Sequence, residues 1–272
     1  IMVKCLTVAS HYDGFLDSLV KLCEIKNIKV DILGLNKKWK GWIYRTQLII
    51  NYLKKCNDYD PIIVCDAFDV AIIDNNNIIQ EKFKRFDCGL VLSCNHPTRG
   101  QNNYTLAYKI YLSSSRKYFN CKRDFIINCG TMIGYRDELL TLWTSIYNAS
   151  LITNITDDQQ ILNSIDLSHI NYKIDFDSEL FWIWPITNNI EYFQMFFLNI
   201  TKDNIQLKDG HLQLSNGNSP SIIHGVYNRD LYGFFEHYNI HNNINKNKYI
   251  AQQDIRNNII IYQFYFVTLS II

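Results

Sequence analysis

No Cys-x-x-Cys pair and no zinc-ligand spacing occurs among the eight cysteines (Cys5, Cys23, Cys56, Cys65, Cys88, Cys94, Cys121, Cys129), which excludes the common zinc modules. Cys5 and Cys65 lie inside apolar runs and read as buried thiols. The first turn, His11-Tyr12-Asp13-Gly14, has no Gly-x-Gly-x-x-Gly run, so a dinucleotide site of that kind is disfavoured. There is no basic block and no acidic tail. Twenty-seven basic residues face twenty-six acidic ones for a net charge of +1. Nucleic acid as the main partner is excluded on that ground, because phosphate binding needs a concentrated positive face. No charged-then-apolar segment opens the chain, so as it stands it reads as cytosolic; a removed leader would instead place it in the secretory lumen. No internal repeat or low-complexity linker interrupts residues 1–250, which are expected to form one domain.

What the chain does have is apolar and aromatic mass, 47% and 14% of its residues, enough for a sizeable core in one large α/β domain or two small ones. The stretch from Val3 to Ser10 predicts a strand, Phe15 to Lys26 a helix with apolar residues at helical spacing, and Ile28 to Leu33 a second strand ending at Gly34. This βαβ opening favours a parallel sheet with a right-handed crossover. A loop from Leu35 to Arg45 carries Trp39 and Trp42 among lysines. Trp39 is a candidate to stack on a base or sugar, whereas Trp42 is expected to pack on the sheet. An amphipathic helix follows from Thr46 to Asn57.

The next stretch, PIIVCDAFDV, is the one around which the chain is organised. Its apolar run predicts a strand buried on both faces, and it ends on Asp66 and Asp69. Acids at the C-terminal end of such a strand stand where open α/β sheets place their ligands, and an Asp-x-x-Asp turn can hold a divalent cation that neutralises a diphosphate. The other reading is that both acids cap a following helix.

Further on, a helix is expected near Ile78 to Phe86 and a strand from Gly89 to Cys94. The Tyr-rich stretch from Asn95 to Phe119 reads as an acceptor-facing loop. Asp124 to Gly134 is a strand and turn with Asn128, Gly130 and Gly134 near its ends, where small residues permit close backbone approach. Leu139 to Tyr147 reads as a helix. Thr156-Asp157-Asp158-Gln159-Gln160 opens another helix, its acids serving either as caps or as partners for sugar hydroxyls. Tyr172 to Pro185 reads as a strand pair, and Ser221 to Gly225 as a short strand ending on His224. The β-prone tail, residues 251–272, is too short to span a membrane as a helix. It is expected to be an edge strand, a surface for homo-oligomer association, or the start of a further domain.

Asp66, Asp69 and His224 share an end-of-strand setting, and two oxygens with an imidazole nitrogen suit Mn²⁺. The ordered set LTVAS, LGLNKKWKG, YLKK, IIVCDAFDV, INCGTMIG, TDDQQ, YKIDFD and IIHG, spread from Val3 to Tyr232, resembles the glycosyltransferase domain of the multifunctional procollagen lysyl hydroxylases. The resemblance implies a GT-A-type, Rossmann-like α/β fold with a mostly parallel central sheet. The Asn-rich composition points to a viral member.

That resemblance implies metal binding by Asp66, Asp69 and His224, and a uridine contact at the strand end Thr7, Val8, Ala9 and Ser10. It implies a uracil flanked by Trp39 and Phe68, with Phe where the family often has Tyr. Asp157 and Asp158 match the last two acids of a poly-Asp run needed for transfer, and Asn128 matches an asparagine near the sugar. The family's His-Gly-Asn-Gly reads His224-Gly225-Val226-Tyr227 here, so Gly225 keeps its place beside the diphosphate while the next positions differ. Arg229 is a candidate phosphate clamp, and Gln47 or Arg45 stands in for an expected lysine. The implied activity is Mn²⁺-dependent, retaining transfer of glucose from UDP-glucose to galactosyl-hydroxylysine of a collagen-like acceptor. The alternatives are galactosyl transfer to hydroxylysine and a non-catalytic sugar-nucleotide or collagen-binding module.

Overall fold

The structure is a computed structural model that describes residues 2–56, 59–95, 112–113, 115–183, 206–208, 211–214, 217–225 and 231–241. Arg229, Trp184, the tail 251–272 and most of the Tyr-rich stretch lie outside the described residues.

The chain opens β1 (Lys4–Val8), α1 (Leu16–Ile25), β2 (Lys29–Leu33), α2 (Trp42–Leu53) and β3 (Ile62–Cys65). It continues with β4 (Val70–Ile72), α3 (Asn76–Arg85), β5 (Leu90–Cys94), β6 (Ile127–Gly134), α4 (Arg136–Thr153) and α5 (Asp158–Ser164). Strands β7 (Tyr172–Ile174), β8 (Phe181–Ile183), β9 (Gln206–Lys208), β10 (His211–Gln213) and β11 (Ile222–His224) follow, then α6 (Tyr232–His237).

Six strands form the central sheet in the order β2-β1-β3-β6-β5-β7. Its β2-β1, β1-β3 and β5-β7 pairs are parallel, and β6 alone runs against its neighbours β3 and β5. The expected mostly parallel α/β sheet is therefore present. In β3, period-two alternation sends Ile62 and Val64 into a core with Ile49, Leu53, Leu142, Trp143 and Ile146 of α2 and α4. Ile63 and Cys65 enter the opposite core with Leu19 and Cys23 of α1 and Phe83 of α3. Helices cover both faces, which is why this strand reads as an unbroken apolar run.

Three boundaries differ from the sequence reading. The helix after the tryptophan loop begins at Trp42, ahead of the expected Thr46, because Gly41 with φ 94° ends the loop. No helix follows Asp69: strand β4 does, and the helix beyond it is capped by Asn75, whose side chain accepts from the Ile78 N–H. The capping explanation of Asp66 and Asp69 therefore fails. Nor do β7 and β8 pair with each other. β7 joins β5 in the central sheet, whereas β8 lies parallel to β11 in a second sheet of order β4-β11-β8.

That second sheet delivers His224 to the site. β11 is antiparallel to β4, with His224 opposite Val70, the residue after Asp69. A buried cluster holds the far end of the pair. Asp74 accepts from Lys82 Nζ (2.7 Å) and Ser221 Oγ (2.7 Å), and His211 Nδ1 lies 2.8 Å from its other oxygen. Lys82 also donates to the Ser219 carbonyl and to Ser221 Oγ. Asp74→Ala leaves a mostly buried ammonium without its carboxylate, and breaking such a pair costs about 3–5 kcal/mol. Urea unfolding is expected to show a loss of that size, and a change below 1 kcal/mol would mean the cluster does not anchor β11.

Candidate active site

Three residues named by the sequence as metal candidates, Asp66, Asp69 and His224, converge at the C-terminal end of β3. Asp66 and Asp69 lie on the turn joining β3 to β4, and His224 is the last residue of β11. Among the described residues, one ligand atom from each of these three lies within 4.8 Å of the others. His224 Nε2 is 3.5 Å from Asp66 Oδ2 and 3.4 Å from Asp69 Oδ1. Two ligands at right angles on one ion at about 2.1 Å stand about 3 Å apart, so the donor set fits a single divalent cation. The imidazole is 3% exposed and the carboxylates 30% and 16%, which opens the cluster on its acidic side.

The backbone is drawn in to make this approach. The Asp66 N–H donates to Gly130 O (2.8 Å), and the Gly225 N–H to Asp69 O (2.7 Å). Gly130 lies mid-strand in β6 and not near an end of the segment as expected. A Cβ there would meet His224 Cε1 at 2.1 Å and Asp66 Oδ2 at 2.6 Å, so only glycine fits beneath the two side chains. Burial pulls the His224 imidazole down, but Asp69 and Asp66 outweigh it and hold the ring above its ordinary value.

Asp157 and Asp158 separate in role. Asp157 is the N-cap of α5, its carboxylate accepting from the Gln160 N–H at 3.0 Å; the capping reading holds for that side chain. Asp158 is turned inward and 3% exposed. It meets Arg45, a residue the sequence reading named only as a stand-in for a lysine. Arg45 is 4% exposed and bridges two acids, with Nη2 at 2.9 Å from Asp66 Oδ1 and Nη1 at 3.1 Å from Asp158 Oδ2. Its guanidinium lies 5.5 Å from the Trp143 ring and 5.8 Å from that of Trp42. Burial works against the guanidinium's charge, yet Asp66 and Asp158 overcome it and push its proton affinity up. The sequence signal was available: an arginine on the buried face of a helix, in line with Ile49 and Leu53, is rarely there without a partner.

Asn128 is 2% exposed and lies beneath His224. Thr7 is fully buried, its hydroxyl donating to Cys65 O at 2.9 Å; the side chain shapes the strand end without facing it. Ala9 is also buried, while Val8 and Ser10 are half-buried. Phe68 packs over Gly14, whose φ is +53°, and lies 5.8 Å from the His11 ring. Trp39 is 40% exposed. Trp42, expected on the sheet, is 46% exposed and meets Trp39 edge to face at 5.4 Å. Gln47 donates to the Tyr147 hydroxyl and touches none of the acids named here.

A family model described as the PLOD GT domain matches residues 2–232. This chain belongs to the PLOD glycosyltransferase-domain family. As a glycosyltransferase domain it acts on a sugar-nucleotide donor and an acceptor. No curated protein matches it. Solved structures similar to it include a glycosyltransferase involved in the glycosylation of the major capsid of PBCV-1, at 10% identity and a TM-score of 0.48, covering 89% of this chain and 100% of that one. No helix among the described residues is long and apolar enough to cross a membrane.

Two outcomes follow for the buried ion pair. Arg45→Met keeps the length and removes the charge, leaving Asp158 and Asp66 without their counter-ion; it is expected to cost about 3–5 kcal/mol at neutral pH by urea unfolding. Burial, opposed by Arg45 and reinforced by Asp66, raises the Asp158 carboxyl from 3.8 to about 6. A carboxyl raised on folding contributes stability that is complete below about 4 and lost as pH rises through about 6. Asp158→Asn is expected to flatten the stability profile between those values, and an unchanged slope would remove this assignment.

Proposed function

We propose that this domain transfers glucose from UDP-glucose to galactosyl-hydroxylysine of a collagen-like acceptor, with Mn²⁺ as cofactor and retention of the donor's configuration. Membership in the family supports the donor and acceptor classes. The convergence of Asp66, Asp69 and His224 behind a glycine that keeps the space clear is the observation that carries the cofactor. When bound there, Mn²⁺ supplies Lewis-acid stabilisation of the charge that develops on the leaving diphosphate.

The chain's own residues have separate tasks. Trp39 and Phe68 flank the uracil; Val8 and Ser10, at the open end of β1, meet the uridine. Asp66, Asp69 and His224 hold the cation, with the Gly225 backbone on the diphosphate side; Arg229 is assigned as a phosphate clamp by its place in the sequence. Asp158, with Asp157 on the same helix mouth, orients the donor hexose. Arg45 keeps Asp158 ionised next to Asp66, so the acid accepts hydrogen bonds from sugar hydroxyls. A lone buried carboxyl would tend to take up a proton and lose that capacity.

UDP release, measured with UDP-glucose or UDP-galactose, with and without Mn²⁺ and a galactosyl-hydroxylysine peptide, tests this assignment. Release from UDP-glucose that needs both metal and peptide is expected, with Asp66→Ala or His224→Ala lowering turnover at least 100-fold (roughly the loss of about 3 kcal/mol of transition-state stabilisation). Preference for UDP-galactose and a hydroxylysine peptide would reassign the donor and acceptor. UDP binding without release under any condition would make the domain a binding module.

A further inference from the structure

We propose that Asn128 acts through His224, as the positioning residue that sets the tautomer and aim of the imidazole; this rests on the metal reading of Asp66, Asp69 and His224. The orientation of the Asn128 amide is settled by its neighbours. The Gly130 N–H, which can only donate, points at Asn128 Oδ1 at 2.8 Å, while Asn128 Nδ2 donates to Asn95 Oδ1 at 2.9 Å. The oxygen is therefore on the side of the histidine, 3.1 Å from His224 Nδ1. A carbonyl oxygen only accepts, so Nδ1 carries the hydrogen, and in the neutral ring the lone pair is left on Nε2. Nε2 is the nitrogen that faces Asp66 and Asp69 at 3.5 and 3.4 Å.

The same oxygen thus sits in the place that an outer-shell acceptor holds behind a metal-ligating histidine. Three features make the arrangement rigid. Asn128 is 2% and His224 3% exposed. Asn128 and Gly130 are two residues apart on β6, so one strand supplies both the acceptor and the gap beneath the ring. Asn95, at the end of the neighbouring β5, completes the chain Asn95–Asn128–His224 across the sheet and into β11. With both amide atoms engaged and almost no exposed surface, Asn128 is placed to act on the ligand behind which it lies.

Two readouts test this. Nitrogen NMR of ¹⁵N-histidine-labelled protein, without metal and at a pH where the ring is neutral, reports the tautomer, with His224→Gln identifying the resonance. Electron paramagnetic resonance of free Mn²⁺, without nucleotide, reports affinity. Wild type is expected in the Nδ1–H form. Asn128→Ala is expected to lose that preference and bind Mn²⁺ roughly 10–100-fold more weakly, the usual cost of removing an outer-shell partner. Asn128→Asp keeps an oxygen to accept from Nδ1–H and is expected to retain the tautomer and to bind Mn²⁺ as tightly as wild type. Wild-type tautomer and affinity in Asn128→Ala, with turnover lost, would overturn the proposal and assign Asn128 to the sugar. Equal loss of affinity in both variants would also overturn it, leaving a packing role. Mn²⁺ binding that is absent in wild type would sink the metal reading, whereas a wild-type Nδ1–H signal lost in Asn128→Ala would still show the positioning contact.

Discussion

Like charges gathered in a small, partly dry space repel, and the whole site is built around that constraint. Asp66, Asp69 and Asp158 approach one another at the sheet's C-terminal edge, with one buried guanidinium, Arg45, linking two of them. A cation on the Asp66–Asp69–His224 side would complete the compensation. Arg45 is therefore placed between the diphosphate end and the sugar end of the proposed donor site. Its burial against Trp143 and Trp42 lowers the local dielectric, which strengthens both ion pairs and raises the cost of leaving either acid unpaired.

The fold makes this gathering feasible through β6. Running antiparallel between β3 and β5, it brings Asn128, Cys129 and Gly130 past the end of β3, under the aspartates. The second sheet then lays β11 against β4, so a histidine more than 150 residues away in sequence returns to the same point. Neither sheet alone holds a complete donor set: the turn after β3 provides oxygens, β11 the nitrogen, and α5 the inward acid.

Much of the fold was legible because its signals are local. The unbroken apolar run of β3, the βαβ opening and the helices around Leu19, Ile49 and Trp143 each follow from short-range apolar patterning. Local signals misled where a residue's surroundings come from elsewhere. Trp42 looked like a core residue by composition, yet it is exposed beside Trp39 because α2 starts one turn earlier than its apolar face suggests. β7 and β8 are neighbours in the text but belong to different sheets, since pairing is decided by which partner is free to bury the strand and not by adjacency.

Within the site, residue types and their end-of-strand positions marked Asp66, Asp69 and His224 as candidates, because a carboxylate breaking an apolar run is conspicuous in sequence. The division between Asp157 and Asp158 was not visible, since adjacent helix-mouth residues point in different directions and only packing shows which one turns inward. Arg45 could be marked as a buried charge in need of a partner, but its partners Asp66 and Asp158 could not be named, and Asn95 gave no signal at all, since its contact with Asn128 spans 33 residues. The sequence by itself determined the chemistry that could be offered: acids, an imidazole, aromatics and a glycine at named points along regular elements. Tertiary structure decided which groups meet, which carry a buried counter-charge and which nitrogen of His224 faces the acids, because distances between strands are set by sheet pairing and not by separation along the chain.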